Sequence, residues 1–169
     1  MNSAADLLAD AFGRIREGVH EVVDGLGVEE LAARVDARAN TIAWLVWHLT
    51  RVQDDHVADL AGGEQVWTAK GWAERFALPF AVHATGYGHG ARQVAAVRAP
   101  AELLTGYHDA VHEATVGFLR RLRVADLARI VDERWSPPVT MGVRLVSVIS
   151  DDLQHAGQAA FVRGLLHHR

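Results

Sequence analysis

Apolar residues return every three or four positions between Ala4 and Leu26, at Leu8, Ala11, Phe12, Ile15, Val19, Val22 and Val23, and so trace one face of an amphipathic helix. Gly25 and Gly27 interrupt the pattern, and Val28 to Val35 reads as a short turn-like helix with Glu29 and Glu30 in its first turn, where a helix dipole favours acids. A second stripe, Ile42, Leu45, Leu49, Val52 and Leu60, follows Asn40, a good N-cap residue, and stops at Gly62-Gly63. Pro100 opens a third, which carries Leu103, Leu104, Tyr107, Val111, Ala114, Phe118, Leu119 and Leu122. The fourth passes through Leu145, Val148, Ile149, Leu153, Ala156, Ala160 and Phe161. The pattern predicts long helices at 4–26, 40–61, 101–123 and 141–166. No segment alternates with period two for long enough to make a strand, and not even short strands are expected.

The stretch from Glu64 to Pro100 keeps aromatic landmarks, Trp67, Trp72, Phe76 and Phe80, and then becomes glycine-spaced at Gly86-Tyr87-Gly88-His89-Gly90. It is too long for an idle loop, and reads as an elaborated connection with short helical pieces. Val124 to Glu133 is ambiguous, while Trp135-Ser-Pro-Pro-Val139 cannot be helical, because its two prolines lack donors and fix the backbone. Four long helices with two irregular connections describe an all-α four-helix bundle with a long crossover, in one domain over 1–169.

At 169 residues, with 50% hydrophobic and 22% charged residues, the chain can bury a full core and is not disordered. A net charge of −4 argues against a surface that tracks nucleic-acid phosphates. No apolar run approaches the roughly 20 residues of a membrane span, and the N-terminus carries acids where a secretory signal carries bases, so a cytoplasmic protein is expected. There is no cysteine, hence no disulfide, no thiolate metal site and no cysteine nucleophile; any thiol chemistry uses a thiol brought in by a ligand. Four serines, none in a G-x-S-x-G setting, leave no other protein nucleophile, and no phosphate-binding glycine loop is present.

Ten histidines are the remaining chemistry. Asp151 and His155 lie four apart, one above the other on a helix face, as two metal ligands from one helix must. A buried Asp to His hydrogen bond fits that spacing equally well. His48 stands at the shoulder of the second stripe, where a satisfied core histidine is the ordinary reading. His108 and His112 also have ligand spacing, but lie toward the edge of their stripe and read as a solvated flank away from any site. His167 and His168 end the chain in what reads as a frayed tail. Together, His48, Asp151 and His155 form a two-histidine, one-carboxylate set of the kind a catalytic divalent ion needs, with coordination positions left open. Such donors suit zinc, and also nickel, iron(II) or manganese. Asp55, two turns after His48, reads either as an exposed carboxylate or as an acid that orients an imidazole or a water. Trp67, Trp72 and Tyr87 serve equally as core aromatics or as pocket walls.

The segment Asn40-Thr-Ile-Ala-Trp-Leu-Val-Trp-His-Leu-Thr-Arg-Val-Gln-Asp-Asp-His56, with Asp151-Asp-Leu-Gln-His-Ala-Gly-Gln158, resembles the DinB superfamily and, within it, the mycothiol-dependent branch of S-transferases and maleylpyruvate isomerase. The resemblance spans essentially the whole chain. It implies a four-helix bundle that holds a divalent metal through His48, Asp151 and His155. It also implies conjugation of a small thiol, mycothiol first, to an electrophile by a monomer or homodimer. The chain departs from the superfamily at Asp151, where His or Glu is usual; the shorter arm bears on metal affinity, and Asp152 is an adjacent carboxylate that a small helix rotation would offer instead. Two rival readings remain: a metal-dependent hydrolase with Asp55 as base, and a non-enzymatic stress-related binding protein.

Overall fold

The computed structural model describes residues 3–167. Its long helices are α1 (Ala4–Val23), α3 (Ile42–Ala61), α7 (Ala101–Leu119) and α8 (Met141–His167). Short helices α2 (Val28–Leu31), α4 (Val66–Ala69), α5 (Trp72–Phe76) and α6 (Ala91–Ala96) fill the connections. α1 and α3 each pack on both α7 and α8. α1, α3 and α7 turn most of their apolar stripes inward, whereas α8 does so only in part. Leu145, Val148 and Ala156 of its expected stripe are buried, but Leu153, Ala160 and Phe161 face solvent, because the side of α8 packed on α1 and α3 is completed by Ala159 and Val162 instead. The shared core includes Phe12, Ile15, Leu45, Leu49, Tyr107 and Leu145. No helix among the described residues is long and apolar enough to cross a membrane.

The helix ends differ from the sequence pattern for local reasons. α1 stops three residues early, with Asp24 as C-cap and Gly25 at φ +71°, a conformation that favours glycine. α3 is capped by Thr41 rather than Asn40, since the Thr41 hydroxyl accepts from the Trp44 amide at 3.1 Å. α7 ends at Leu119 and not near residue 123; a 3₁₀ turn at Val124–Ala128 takes up the chain. Short strands do occur: β1 (Ile130–Asp132) pairs antiparallel with β2 (Val139–Thr140), Ile130 opposite Thr140. Strands of three and two residues are too brief to show a period in sequence, and the pairing exists only because the Trp135 to Pro138 loop folds back on itself. Arg144 of α8 ties this ribbon to the bundle by donating to Asp132 at 3.1 Å.

Chain direction explains the long crossover. α3 and α8 run antiparallel, so that His56 meets Arg144 while His48 meets His155. α3 and α7 run parallel, with Thr50 beside His108 and Gln53 beside Thr115. Residues 62–100 must therefore travel back along the bundle before α7 can start, and α4, α5 and α6 are formed on the way.

His108 is not the solvated flank its spacing suggested: it is fully buried against α3. The Thr50 hydroxyl spends its one proton on the Val46 carbonyl at 2.7 Å, so His108 must donate its Nδ1–H to Thr50 at 3.0 Å, leaving Nε2 without a partner. Burial pushes the His108 pKa down to about 3. The unfolded chain thus takes up a proton below about pH 6.5 that the folded chain refuses, and stability falls as pH drops from there toward about 3. One such group contributes a slope of up to about 1.4 kcal/mol per pH unit. Urea unfolding between about pH 6 and pH 4 is expected to show a shallower loss for His108→Gln than for the parent chain; an unchanged slope contradicts the assignment.

Candidate metal centre

His48 is presented from the middle of α3 with its ring stacked on Trp44, one turn earlier, at 4.6 Å between centroids and 14° between planes. Its Nδ1 lies 2.6 Å from the Thr85 carbonyl. A carbonyl only accepts, so Nδ1 carries the proton and Nε2 keeps its lone pair. Burial also lowers the His48 pKa, which favours the neutral ring that a metal ligand requires.

Asp151 and His155 face His48 from α8. His155 donates its Nδ1–H to the Gln158 side-chain oxygen at 3.0 Å, which turns its Nε2 toward Asp151 at 3.7 Å. The rings of His48 and His155 meet at 4.8 Å and 73°. One ligand atom from each of His48, Asp151 and His155 falls within 4.8 Å of the other two, and this is the one such histidine and acid group among the described residues. Two zinc to nitrogen bonds span about 4 Å end to end, so small side-chain rotations close the set. The second oxygen of Asp151 is buried without a hydrogen-bond partner, as suits a carboxylate with ligand capacity to spare. The donors therefore fit a divalent ion with coordination positions left over. Asp152 is excluded from this set: it points into the interior, fully buried, and burial pushes its carboxyl pKa up.

A strap from the crossover covers His48, held by side chains beneath it. Trp67 donates to the Val82 carbonyl at 2.9 Å, Arg51 to Ala84 at 3.2 Å, and the Trp44 indole to His89 Nδ1 at 3.2 Å. Gly86 sits at the closest approach, with φ +98°, where an added Cβ would fall 2.7 Å from His48 Nδ1 and 3.0 Å from the Trp47 ring. The glycine-spaced turn is thus the place where backbone must lie against the His48 ring.

Beside His48 and Asp151 a cavity of about 390 Å³ opens to solvent, lined among others by Asp55, His56, Thr85, Tyr87 and Ser147. Asp55 reaches this cavity, but its carboxylate accepts from Gln65 at 2.6 Å; the orienting bond to His48 comes from Thr85 instead. Tyr87 is an exposed wall of the cavity, whereas Trp67 and Trp72 are core residues. His108 and His112 lie on α7, apart from the cluster, and His168 lies outside the described residues. Thr85, Gly86, Gln158 and Arg51 received no role from the sequence alone. Gly86 left a signal in its glycine-spaced stretch and Gln158 one turn beyond His155, whereas Thr85, which acts through its carbonyl, left none. Gly86→Ala is expected to cost about 1–3 kcal/mol in stability and to weaken zinc binding about 10- to 100-fold by calorimetry, because the left-handed backbone and the His48 contact are both violated. Unchanged zinc affinity would sink this account of the strap.

The comparisons with known proteins agree with this architecture. The chain superimposes over 100% of its length, and 100% of the other, on the crystal structure of a conserved protein from Enterococcus faecalis, with TM-score 0.93 and 29% identity. No curated protein is matched by sequence. Residues 7–168 match the mycothiol-S-transferase family model, nearly the whole length of the chain. This chain belongs to the mycothiol-S-transferase family of the DinB-like superfamily.

Proposed function

We propose that the protein is a divalent-metal-dependent S-transferase that joins mycothiol to an electrophilic small molecule at the His48, Asp151 and His155 centre. The observation that carries this reading is the pinning of both imidazoles. Thr85 and Gln158 each take an Nδ1 proton, so two Nε2 lone pairs and an underused carboxylate converge at the edge of an open cavity. A divalent ion such as zinc bound there would supply Lewis acidity that draws a thiol of pKa about 8.5 into its thiolate form at neutral pH.

The protein's own part is binding, orientation and shielding. Trp44 and Thr85 fix the His48 ring, and Gln158 fixes His155. Asp55, Tyr87 and Ser147 present polar groups to the cavity, matching the hydroxyl-rich body of a sugar thiol, while Val52 and Val148 form its apolar wall. Holding thiol and electrophile side by side converts a bimolecular encounter into a positioned one. With no cysteine in the chain, the electrophile has no protein thiol to alkylate. The engagement of Asp55 by Gln65 favours a binding role over that of a hydrolytic base.

Mycothiol, a bimane electrophile and added zinc provide the test. Conjugation is expected with zinc and is expected to vanish on chelation. His155→Ala should lower kcat/KM by more than the roughly 100-fold that losing an outer partner costs, and Gln158→Leu should weaken metal binding about 10- to 100-fold. His112→Ala should leave the rate nearly unchanged. Conjugation that survives chelation, or the joint loss of His48 and His155, overturns the reading.

A further inference from the structure

His48, Val52 and His56 stand four residues apart on α3 and form one rising line along the wall of the cavity, which Ser147 and Asp151 of α8 also line. His56 is half-buried and stands outside the candidate metal set. Its surroundings fix which ring nitrogen carries the proton. Arg144 brings a guanidinium nitrogen to 3.5 Å from His56 Nδ1, and a guanidinium only donates, so Nδ1 holds the lone pair and Nε2 the hydrogen. Arg144 is aimed from behind: Asp132 of β1 accepts from it at 3.1 Å and is itself clamped by Arg134 at 2.8 and 2.9 Å. The short ribbon thereby reaches the cavity through one side chain.

The bond to Arg144 is the one hydrogen bond that His56 makes with the described residues, which leaves its Nε2–H for the cavity. Burial and Arg144 lower the pKa of the ring, against the pull of Asp55 and Asp59 on α3 and of Asp151 on α8. Near pH 7 it is a neutral imidazole that lends a hydrogen bond and keeps its proton. The other side chains that α3 and α8 turn to the cavity cannot replace it. Asp55 and Asp151 carry acceptors, His48 holds its Nδ1–H on Thr85, Val52 and Val148 are apolar, and Ser147 gives its hydroxyl proton to the Val143 carbonyl at 2.8 Å.

We infer that His56 is a catalytic residue of the thiol transfer, its Nε2–H donating to an oxygen of the electrophile on which negative charge gathers as the carbon–sulfur bond forms. This role rests on the S-transferase reading above and adds a class of electrophile to it. His56 lies about 12 Å along α3 from His48, at 1.5 Å per residue, so the oxygen it reaches stands several bonds from the carbon that sulfur attacks. A conjugated carbonyl compound has that form. Sulfur bonds to its terminal alkene carbon, the alkene pair shifts to leave an enolate oxygen, and a proton from water, equal to the one the thiol gave up, returns to carbon. A preset donor at such an oxygen is worth about 100- to 1000-fold in rate. An alkyl halide sends its charge away as halide and gains nothing from the donor.

Mycothiol and zinc with 2-cyclohexenone or with benzyl bromide separate this role from a structural one. His56→Phe should lower kcat/KM for cyclohexenone about 100-fold, leave benzyl bromide nearly unchanged, and leave zinc affinity by calorimetry as it was. His56→Gln, whose amide still donates, should recover part of the cyclohexenone rate. Nitrogen-15 NMR of the parent chain at pH 7 should show His56 with hydrogen on Nε2, and Arg144→Leu should mix the two tautomers. Equal losses on both electrophiles, no loss on either, or hydrogen on Nδ1 overturns the assignment of His56 alone. Failure of the parent chain to conjugate either electrophile overturns the S-transferase reading and this role with it.

Discussion

A single buried cation organises the centre of this molecule. Arg51 has no exposed surface, and a guanidinium cannot discharge itself by losing a proton, so the fold must surround it with acceptors. Those acceptors come from distant parts of the chain: the Gln65 side chain, the Ala84 carbonyl and the Tyr107 hydroxyl, with Asp54 at 3.5 Å as counter-charge. Asp54 in turn accepts from the amides of Val66 and Trp67 and from Tyr107. The start of α4, the strap and α7 are thereby fastened to one point on α3. Leaving any of these groups buried without its partner would cost about 1–3 kcal/mol, more for a charged one.

That fastening reaches the candidate centre through one peptide. Arg51 holds the Ala84 carbonyl, and the next carbonyl, Thr85, accepts from His48. Gln65, gripped by Arg51 through its oxygen, uses its amide nitrogen to hold Asp55 at the edge of the cavity. The ring orientation of His48 and the carboxylate of Asp55 thus depend on the same buried network. Gly86 lets the strap lie close enough for this to happen, because a side chain there would occupy the space of the imidazole.

α8 divides its circumference among three environments. Val148, Ala156, Ala159 and Val162 are buried in the core, and Asp151 and His155 border the groove shared with α3. The remaining face mixes apolar and uncharged polar side chains and meets solvent. A helix can serve all three only because its period of 3.6 residues separates them in angle while mixing them in sequence.

The sequence by itself determined the elements and half of the centre. The stripes of α1, α3 and α7 were readable because each of these helices buries one continuous face, while that of α8 was read only in part, since apolar residues also stand on its exposed side at Leu153 and Phe161. Asp151 with His155 were readable because a spacing of four is intrinsic to a helix. His48 entered from its residue type and its place in the resembling segment. What only the tertiary structure decided involves residues far apart along the chain. The Thr85 carbonyl has no side-chain signature, and its role exists only once the crossover returns over α3. The burial of His108 depended on α7 lying parallel to α3, which the stripe on α7 alone did not state. The two short strands are likewise pairings rather than propensities. Local periodicity fixes which face turns inward, but the partner that each inward group meets is set by how the helices are arranged.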